Sequence, residues 1–538
     1  MNSVRSLIGR RRRHDDETVD VRVAGGVVRG VRERGLLAWR GIPYAAPPVG
    51  SLRFAGPADV VPWAGTRDAF GFGPAAPQAF RNPLIHPPSA VVAADEDCLT
   101  VNVHAPVWDD HGSTPLPVMV YIHGGGYSVG SSRDFSGQGE GFVRDGRVVY
   151  VSFNYRLGPL GYLDFSRYST RDRSFASNLG LRDQVALLKW VRENIGAFGG
   201  DAENVTVFGA SAGGNAVTTL MATPSARGLF ARAIAQSPPP GAVYPSSMSR
   251  RWAGEYVQIL RQMLESRASR DTRGSPEEPP ALRSAHQLLL AASPSDLVAA
   301  CTALQIRTPD AYPGTFCLAP VIDGDFLPQH PMRAFRDGTA HRVPIIIGTN
   351  NREGAIFRGR VDILPRTPPR IEALFARAPA GSAPRMHIAY PGLPARRAAA
   401  DFGGDFGFWF PSTRVADYHS RFAPTWAYRF DMAPRLLKIL GLDATHGVEM
   451  FALFARTDLT MARIITGFGG AEEYAAAGRR MRTMWLRFAA GAPPAETWPP
   501  YCEPDRSTLI IDVTDRVEKD PRDERRRAWE QFQPDTAG

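Results

Sequence analysis

An α/β architecture is the fold class this sequence predicts: a large, mixed, mostly parallel central sheet flanked by helices. Short apolar runs alternate along the 538 residues with longer segments of helical spacing, the order expected of strands joined by crossover helices. Several runs are apolar on both faces, as strands covered on both sides must be. One helical segment stands between two such runs and completes a strand–helix–strand unit.

Taken in order, the predicted strands are VMVYI (118–122), VVYVSF (148–153), NVTVF (204–208), ARAIA (231–235), VPIII (343–347), TWAYRF (425–430) and TLIIDV (508–513). Between the second and third, Val185, Leu187, Leu188, Trp190, Val191 and Ile195 recur at helical spacing and are followed by a Gly-Gly pair, which predicts an amphipathic helix and its stop. The charged, proline-rich stretch 266–280 predicts an exposed loop or insertion, and 375–400 reads the same way. No solenoid or propeller repeat is present. The expected organisation is a basic tail over 1–18 and one domain over 19–538, with helix-rich excursions between about 240 and 420.

Composition narrows the function. The formal charge of +9 reflects in part Arg5, Arg10, Arg11, Arg12 and Arg13, so it marks a solvated, disordered tail more than a nucleic-acid surface. The charges at the start are followed by HDDETVD where a secretory signal needs an apolar stretch. No apolar run reaches transmembrane length. Cys98, Cys301, Cys317 and Cys502 form no C-x-x-C pair, which argues against a zinc site or a disulfide framework. The expectation is a cytoplasmic protein without a nucleic-acid partner or a membrane span.

The chemistry centres on NVTVFGASAGGN (204–215). A G-x-S-x-G pentapeptide is weak evidence alone, but a nucleophile elbow needs a strand before it, a helix after it and small neighbours at its strained turn. All three surround Ser211. A serine hydroxyl also needs a base, an orienting acid and donors for a developing oxyanion. His123-Gly124-Gly125-Gly126 follows a strand upstream and offers such donors; a phosphate loop would end in G-K-[ST], which is absent. Elbows of this kind are followed in the chain by the acid and then the histidine. His446, in the glycine-flanked LDATHGVEMF, competes with His419 and His387 among eleven histidines. Glu353, close behind a strand in PIIIGTNNREGAIF, competes with Asp323 in PVIDGDF.

These segments resemble the type B carboxylesterases, the family of the cholinesterases and bacterial broad-range esterases. The resemblance runs from about residue 20 to 530 through RGIPYAAPPVGSLRF (40–54), DEDCLTVNV (95–103), HGGGY (123–127), NYRLGPLGYL (154–163), DQVALLKWVRENIGAFGGD (183–201), GASAGG (209–214), PVIDGDFLP (320–328), GTNNREG (348–354), ATHGVEMF (444–451) and WPPY (498–501). It implies an α/β-hydrolase fold with helical cap excursions and a serine hydrolase that cleaves small-molecule carboxylic esters through an acyl-enzyme. Ser211 would be the nucleophile, Glu353 the acid and His446 the base, with the N–H groups of Gly125, Gly126 and Ala212 as the oxyanion hole. It implies no metal and no organic cofactor. It also implies buried ion pairs Arg40–Glu96 and Arg156–Asp183. The disulfide that secreted members make from the position of Cys98 cannot form, because no cysteine precedes it.

The sequence departs from the family pattern at three places, two of which bear on substrate. The family most often has glutamate where Ala210 stands, and no tryptophan occurs between Trp63 and Trp108 to stack a quaternary ammonium. A neutral ester is therefore expected. The third is Ser237-Pro238 in place of the usual Ser-Gly, where proline fixes φ and removes a donor. Alternatives are a hydrolase of carbamates, amides or lactones, and a catalytically silent binding protein of the same fold.

Overall fold

The computed structural model describes residues 18–79, 94–107, 114–269, 283–357 and 362–534. Its first strands form an antiparallel meander: β1 (Thr18–Val23), β2 (Gly26–Glu33) and β3 (Leu36–Pro43). The turn between β2 and β3 is Arg34-Gly35, with φ of 49° and 77°, the pair of positive dihedrals a two-residue hairpin needs to follow the strand twist. The short β4 (Thr66–Asp68) lies parallel to β2. Then come β5 (Thr100–Pro106), β6 (Leu116–Ile122), β7 (Val149–Phe153), β8 (Gly200–Ala210) and β9 (Arg232–Gln236). A separate parallel pair, β10 (Tyr244–Pro245) and β11 (Val321–Ile322), precedes β12 (Ile345–Asn350), β13 (Thr425–Phe430), β14 (Ser507–Ile511) and β15 (Arg516–Lys519).

The main sheet of the described residues runs β1-β2-β3-β5-β7-β6-β8-β9-β12-β13-β14-β15. The stretch from β7 to β14 is parallel, and both flanks are antiparallel. This is the α/β-hydrolase sheet the sequence implied. In register, Ile122 pairs with Gly209, Gly209 with Ala235, Ala235 with Ile347 and Ile347 with Ala427. The carboxyl ends of five neighbouring strands therefore open on one edge, where the site lies.

Each central strand feeds two cores, which is why its sequence is apolar throughout. Val118, Val120, Ile122, Val205, Val207, Ala233, Ala235, Ile345 and Ile347 point into one core; Met119, Tyr121, Phe208, Ile234 and Ile346 point into the other. Helix Leu179–Asn194 covers the first face and helix Ala471–Ala489 the second. Fully burying one such aliphatic side chain is worth about 1.5–3 kcal/mol.

Several boundaries differ from the sequence reading. Strand β12 begins at Ile345, after Pro344, which has no N–H to give a ladder. Thr18 pairs with Val31 as the first residue of β1, so it belongs to the sheet and not to the tail; residues 1–17 lie outside the described residues. Helix Ser246–Ala268 carries through 266–268, where a loop was expected, and 270–280 lies outside the described residues. The segment 375–400 is not irregular: it holds helix Ala383–Ala389 and the start of helix Arg396–Gly404. Met386 and Tyr390 anchor it in a small core with Trp529, whose indole donates to the Tyr390 hydroxyl at 2.7 Å.

The Arg156–Asp183 pair forms as implied, fully buried, with Arg156 Nε and Nη2 donating at 2.8 and 2.6 Å. The Arg40–Glu96 pair does not form. Glu96 is bound instead by Arg53, whose Nε donates at 2.9 Å and whose Nη1 also ties down the Leu290 and Ala292 carbonyls. Arg40 turns across the hairpin to Glu33, the residue β2 offers it. Among the described residues no single helix is long and apolar enough to cross a membrane; the bent pair Ala285–Ala291 and Pro294–Ala311, which reaches that length together, buries Leu288, Leu289, Leu297 and Leu304 in the core.

Candidate active site

Ser211 stands between β8 and helix Ala212–Met221, with φ 60° and ψ −124°. A side chain is held there only when its surroundings over-determine the strained turn. Two bonds do so: Ser211 N–H donates to the Gln236 carbonyl at 2.9 Å, and the Ser211 carbonyl accepts from Asn215 N–H at 2.9 Å. The small neighbours are obligatory, because a Cβ on Gly213 would sit 2.0 Å from the Ile122 oxygen. Ala212 opens the helix, so its N–H has no intrahelical acceptor.

The loop after β6 lies against this turn. A Cβ on Gly124 would be 2.5 Å from the Ala210 oxygen and 3.2 Å from Ser211 Cβ. Gly125 and Gly126 have φ of 114° and 60°, and the Gly125 carbonyl accepts from Ser128 and Val129 N–H at 3.1 Å each. His123 is not a solvent-facing base: its ring stacks on Tyr155 at 4.4 Å, and the Tyr155 hydroxyl donates to its carbonyl at 2.6 Å.

Glu353 and His446 meet at the same edge. Glu353 follows β12 by three residues and is buried; its Oε1 accepts from Asn350 N–H at 2.6 Å and its Oε2 lies 2.5 Å from His446 Nδ1. That engagement leaves Nε2 as the ring nitrogen available to a hydroxyl. Phe408 and Phe357 pack on the imidazole at 4.6 and 5.3 Å between centroids. Burial pushes the imidazole pKa down, but the charge and hydrogen bond of Glu353, with Glu449 adding to them, prevail and raise it above its ordinary value. No hydrogen bond joins Ser211 Oγ to His446 among the described residues.

The competing residues have other partners. Asp323 accepts from Ser177 Oγ, Asn178 Nδ2 and the N–H groups of Asp325 and Leu327, and so braces a turn. His419 ends helix Phe410–His419 and is bonded through Nε2 to the Val343 carbonyl at 2.8 Å. His387 lies in the last turn of helix Ala383–Ala389, against Phe375. Cys98 is buried and unbridged.

Two neighbours of the Glu353–His446 pair escaped the sequence reading. Asn350 binds the Glu353 carboxylate through its backbone and, through Nδ2, the Thr445 carbonyl and the Glu449 carboxylate. Glu449 is fully buried, and burial pushes its pKa up to about 7. Its only sequence signal is its place three residues after His446.

The model of the carboxylesterase family matches residues 15–369 and 394–529. The chain is 35% identical over 512 residues to para-nitrobenzyl esterase of Bacillus subtilis, covering 93% of this chain and 96% of that protein. It is 31% identical to phenmedipham hydrolase of Pseudarthrobacter oxydans, over 90% of this chain and 93% of the relative. A solved PNB esterase structure superposes with a TM-score of 0.80 at 32% identity, covering 95% of this chain and 99% of the other.

Proposed function

The chain belongs to the carboxylesterase family and is a carboxylic-ester hydrolase, and we propose that it works through a Ser211–Glu353–His446 triad and an acyl-enzyme. The observation that carries this reading is the 2.5 Å contact between His446 Nδ1 and Glu353 Oε2, on loops that share the sheet edge of the strained Ser211.

In the first half-reaction His446 Nε2 takes the Ser211 proton as Oγ bonds to the ester carbonyl carbon. The carbonyl π pair moves to oxygen, where the N–H groups of Gly125, Gly126 and Ala212 receive it. Losing one such donor typically costs about 3 kcal/mol of barrier, roughly a hundred- to a thousandfold in rate. Collapse breaks the C–O bond, and the imidazolium returns its proton to the departing alcohol. Water then repeats the sequence on the acyl-serine, releasing the acid and restoring Ser211. Glu353 fixes the tautomer and stabilises the imidazolium without itself taking the proton.

The substrate is a small, neutral ester. Supporting this, Ala210 is buried in the apolar cluster of Tyr121, Phe208 and Met450 and supplies no carboxylate beside the nucleophile. A fluorophosphonate probe should label the protein stoichiometrically and fail on Ser211→Ala; a folded parent that resists the probe overturns the triad. A panel of p-nitrophenyl esters of rising acyl length, with one aryl carbamate, sorts ester preference from the carbamate alternative.

A further inference from the structure

Tyr127, the residue after the Gly124–Gly126 run, is buried and held at φ 57°. Its carbonyl accepts from Gly158 N–H at 2.7 Å and its ring stacks on Tyr162 at 3.9 Å. Its hydroxyl reaches Asn215 Oδ1 at 2.5 Å. Asn215 has no solvent exposure; it lies one turn beyond Ser211 in the elbow helix and its Nδ2 donates to the Pro239 carbonyl at 2.7 Å. A proline carbonyl can only accept, so the amide orientation is fixed, and Oδ1 must receive the Tyr127 proton. The chain of bonds thus joins three pieces of backbone: the glycine loop, the first turn of the nucleophile helix and the 237–241 loop. That last loop begins at Ser237, φ 43°, whose N–H is held by the Gly348 carbonyl of β12.

We propose that Tyr127 and Asn215 are positioning residues that hold the Gly125 and Gly126 N–H groups in register with Ser211, an assignment that rests on the oxyanion role proposed above. Neither side chain is needed merely to fill space. An apolar pair of the same shape would avoid burying a hydroxyl and an amide and would give up the Tyr127–Asn215 bond at little net cost, losing in addition only the bond to the Pro239 carbonyl. The polar pair offers direction: a hydrogen bond from the loop to the very turn that presents the nucleophile, which packing alone does not specify. Burial keeps the Tyr127 phenol protonated far above neutral pH, so the donor is present wherever the enzyme works.

The test uses Tyr127→Phe and the doubly apolar Tyr127→Phe/Asn215→Leu in the full chain, with Ser211→Ala as control. For p-nitrophenyl acetate, Tyr127→Phe should lower kcat about tenfold, less than loss of a whole donor, with KM within about twofold. The double variant leaves no orphan on Tyr127 or Asn215 but takes from the Pro239 carbonyl its bond from Asn215, so it should melt no lower than Tyr127→Phe while kcat stays low. Parental kcat in Tyr127→Phe, or recovery of kcat in the double variant, overturns the inference and makes the pair purely structural. If the single variant does not fold, the double variant decides alone by the same criterion. Retained turnover in Ser211→Ala would instead overturn the proposed triad, whatever the Tyr127 variants do.

Discussion

The imidazole of His446 and the carboxylate of Glu353 are 2.5 Å apart, the carboxylate buried and the imidazole partly exposed, with the imidazole pKa raised by that carboxylate against the opposing effect of burial. A general base must be neutral to accept a proton. Raising its pKa therefore moves the acid limb of activity upward: kcat/KM should climb with pH through an apparent pKa above the ordinary 6.5. Glu353→Gln should move that limb to lower pH and cut kcat by about ten-thousandfold, as loss of the orienting acid does in triads. A pH–rate profile of both proteins checks the direction.

Glu449 carries a second pH signature. Its pKa, pushed up to about 7 by burial, lies above the ordinary 4.5 of the unfolded chain. Between those values the folded state holds a proton that the unfolded state has released, so stability falls as pH rises from 4.5 to 7, at a limiting slope of about 1.4 kcal/mol per pH unit. Glu449→Gln should flatten this part of the curve, gaining stability at pH 8 relative to the parent. Urea denaturation at pH 5 and pH 8 measures it. The same variant should shift the His446 limb downward, since Glu449 adds to the field that raises it.

Arg156 and Asp183 are 3% and 0% exposed, and Arg156 also bonds the Ala55 carbonyl. Breaking one side leaves a buried charge without its partner, at a cost of about 3–5 kcal/mol. Asp183→Asn should lower Tm by several degrees while leaving KM unchanged in the protein that remains folded. Equal Tm values by calorimetry would show the pair to be energetically idle.

Ala210 touches both substrate choice and packing. Acetylthiocholine should be turned over far more slowly than p-nitrophenyl acetate. Ala210→Glu should lower Tm, because it places a carboxylate among Tyr121, Phe208 and Met450, and unpaired buried charge is costly. Any gain on cationic esters would be read from the ratio of the two kcat/KM values.

The parallel heart of the sheet was legible because its strands are covered on both faces and so carry uninterrupted apolar runs; TWAYRF matches β13 residue for residue. The opening meander was not predicted, although VRERGLLAWR carries its hairpin: β1 and β2 mix exposed polar and buried apolar residues, and Arg34 at positive φ is an unusual turn residue. The elbow could be read from its glycines, since a Cβ at Gly213 cannot coexist with the Ile122 carbonyl. Glu96 went to Arg53 instead of Arg40 because both arginines precede it at plausible distance, and only the fold decides which one faces it. Glu449 and Asn350 were invisible for a related reason: their bond spans ninety-nine residues of chain. The same holds for Tyr127 and Asn215, each an ordinary residue until the elbow brings them together.

The most direct measurement of the central claim is intact-protein mass spectrometry during turnover of a slowly deacylated p-nitrophenyl ester, followed by peptide mapping. A burst of one p-nitrophenolate per chain and a mass increase of one acyl group located on Ser211 are expected, both absent in Ser211→Ala. Turnover without a covalent adduct, or an adduct on another residue that survives Ser211→Ala, would contradict the claim.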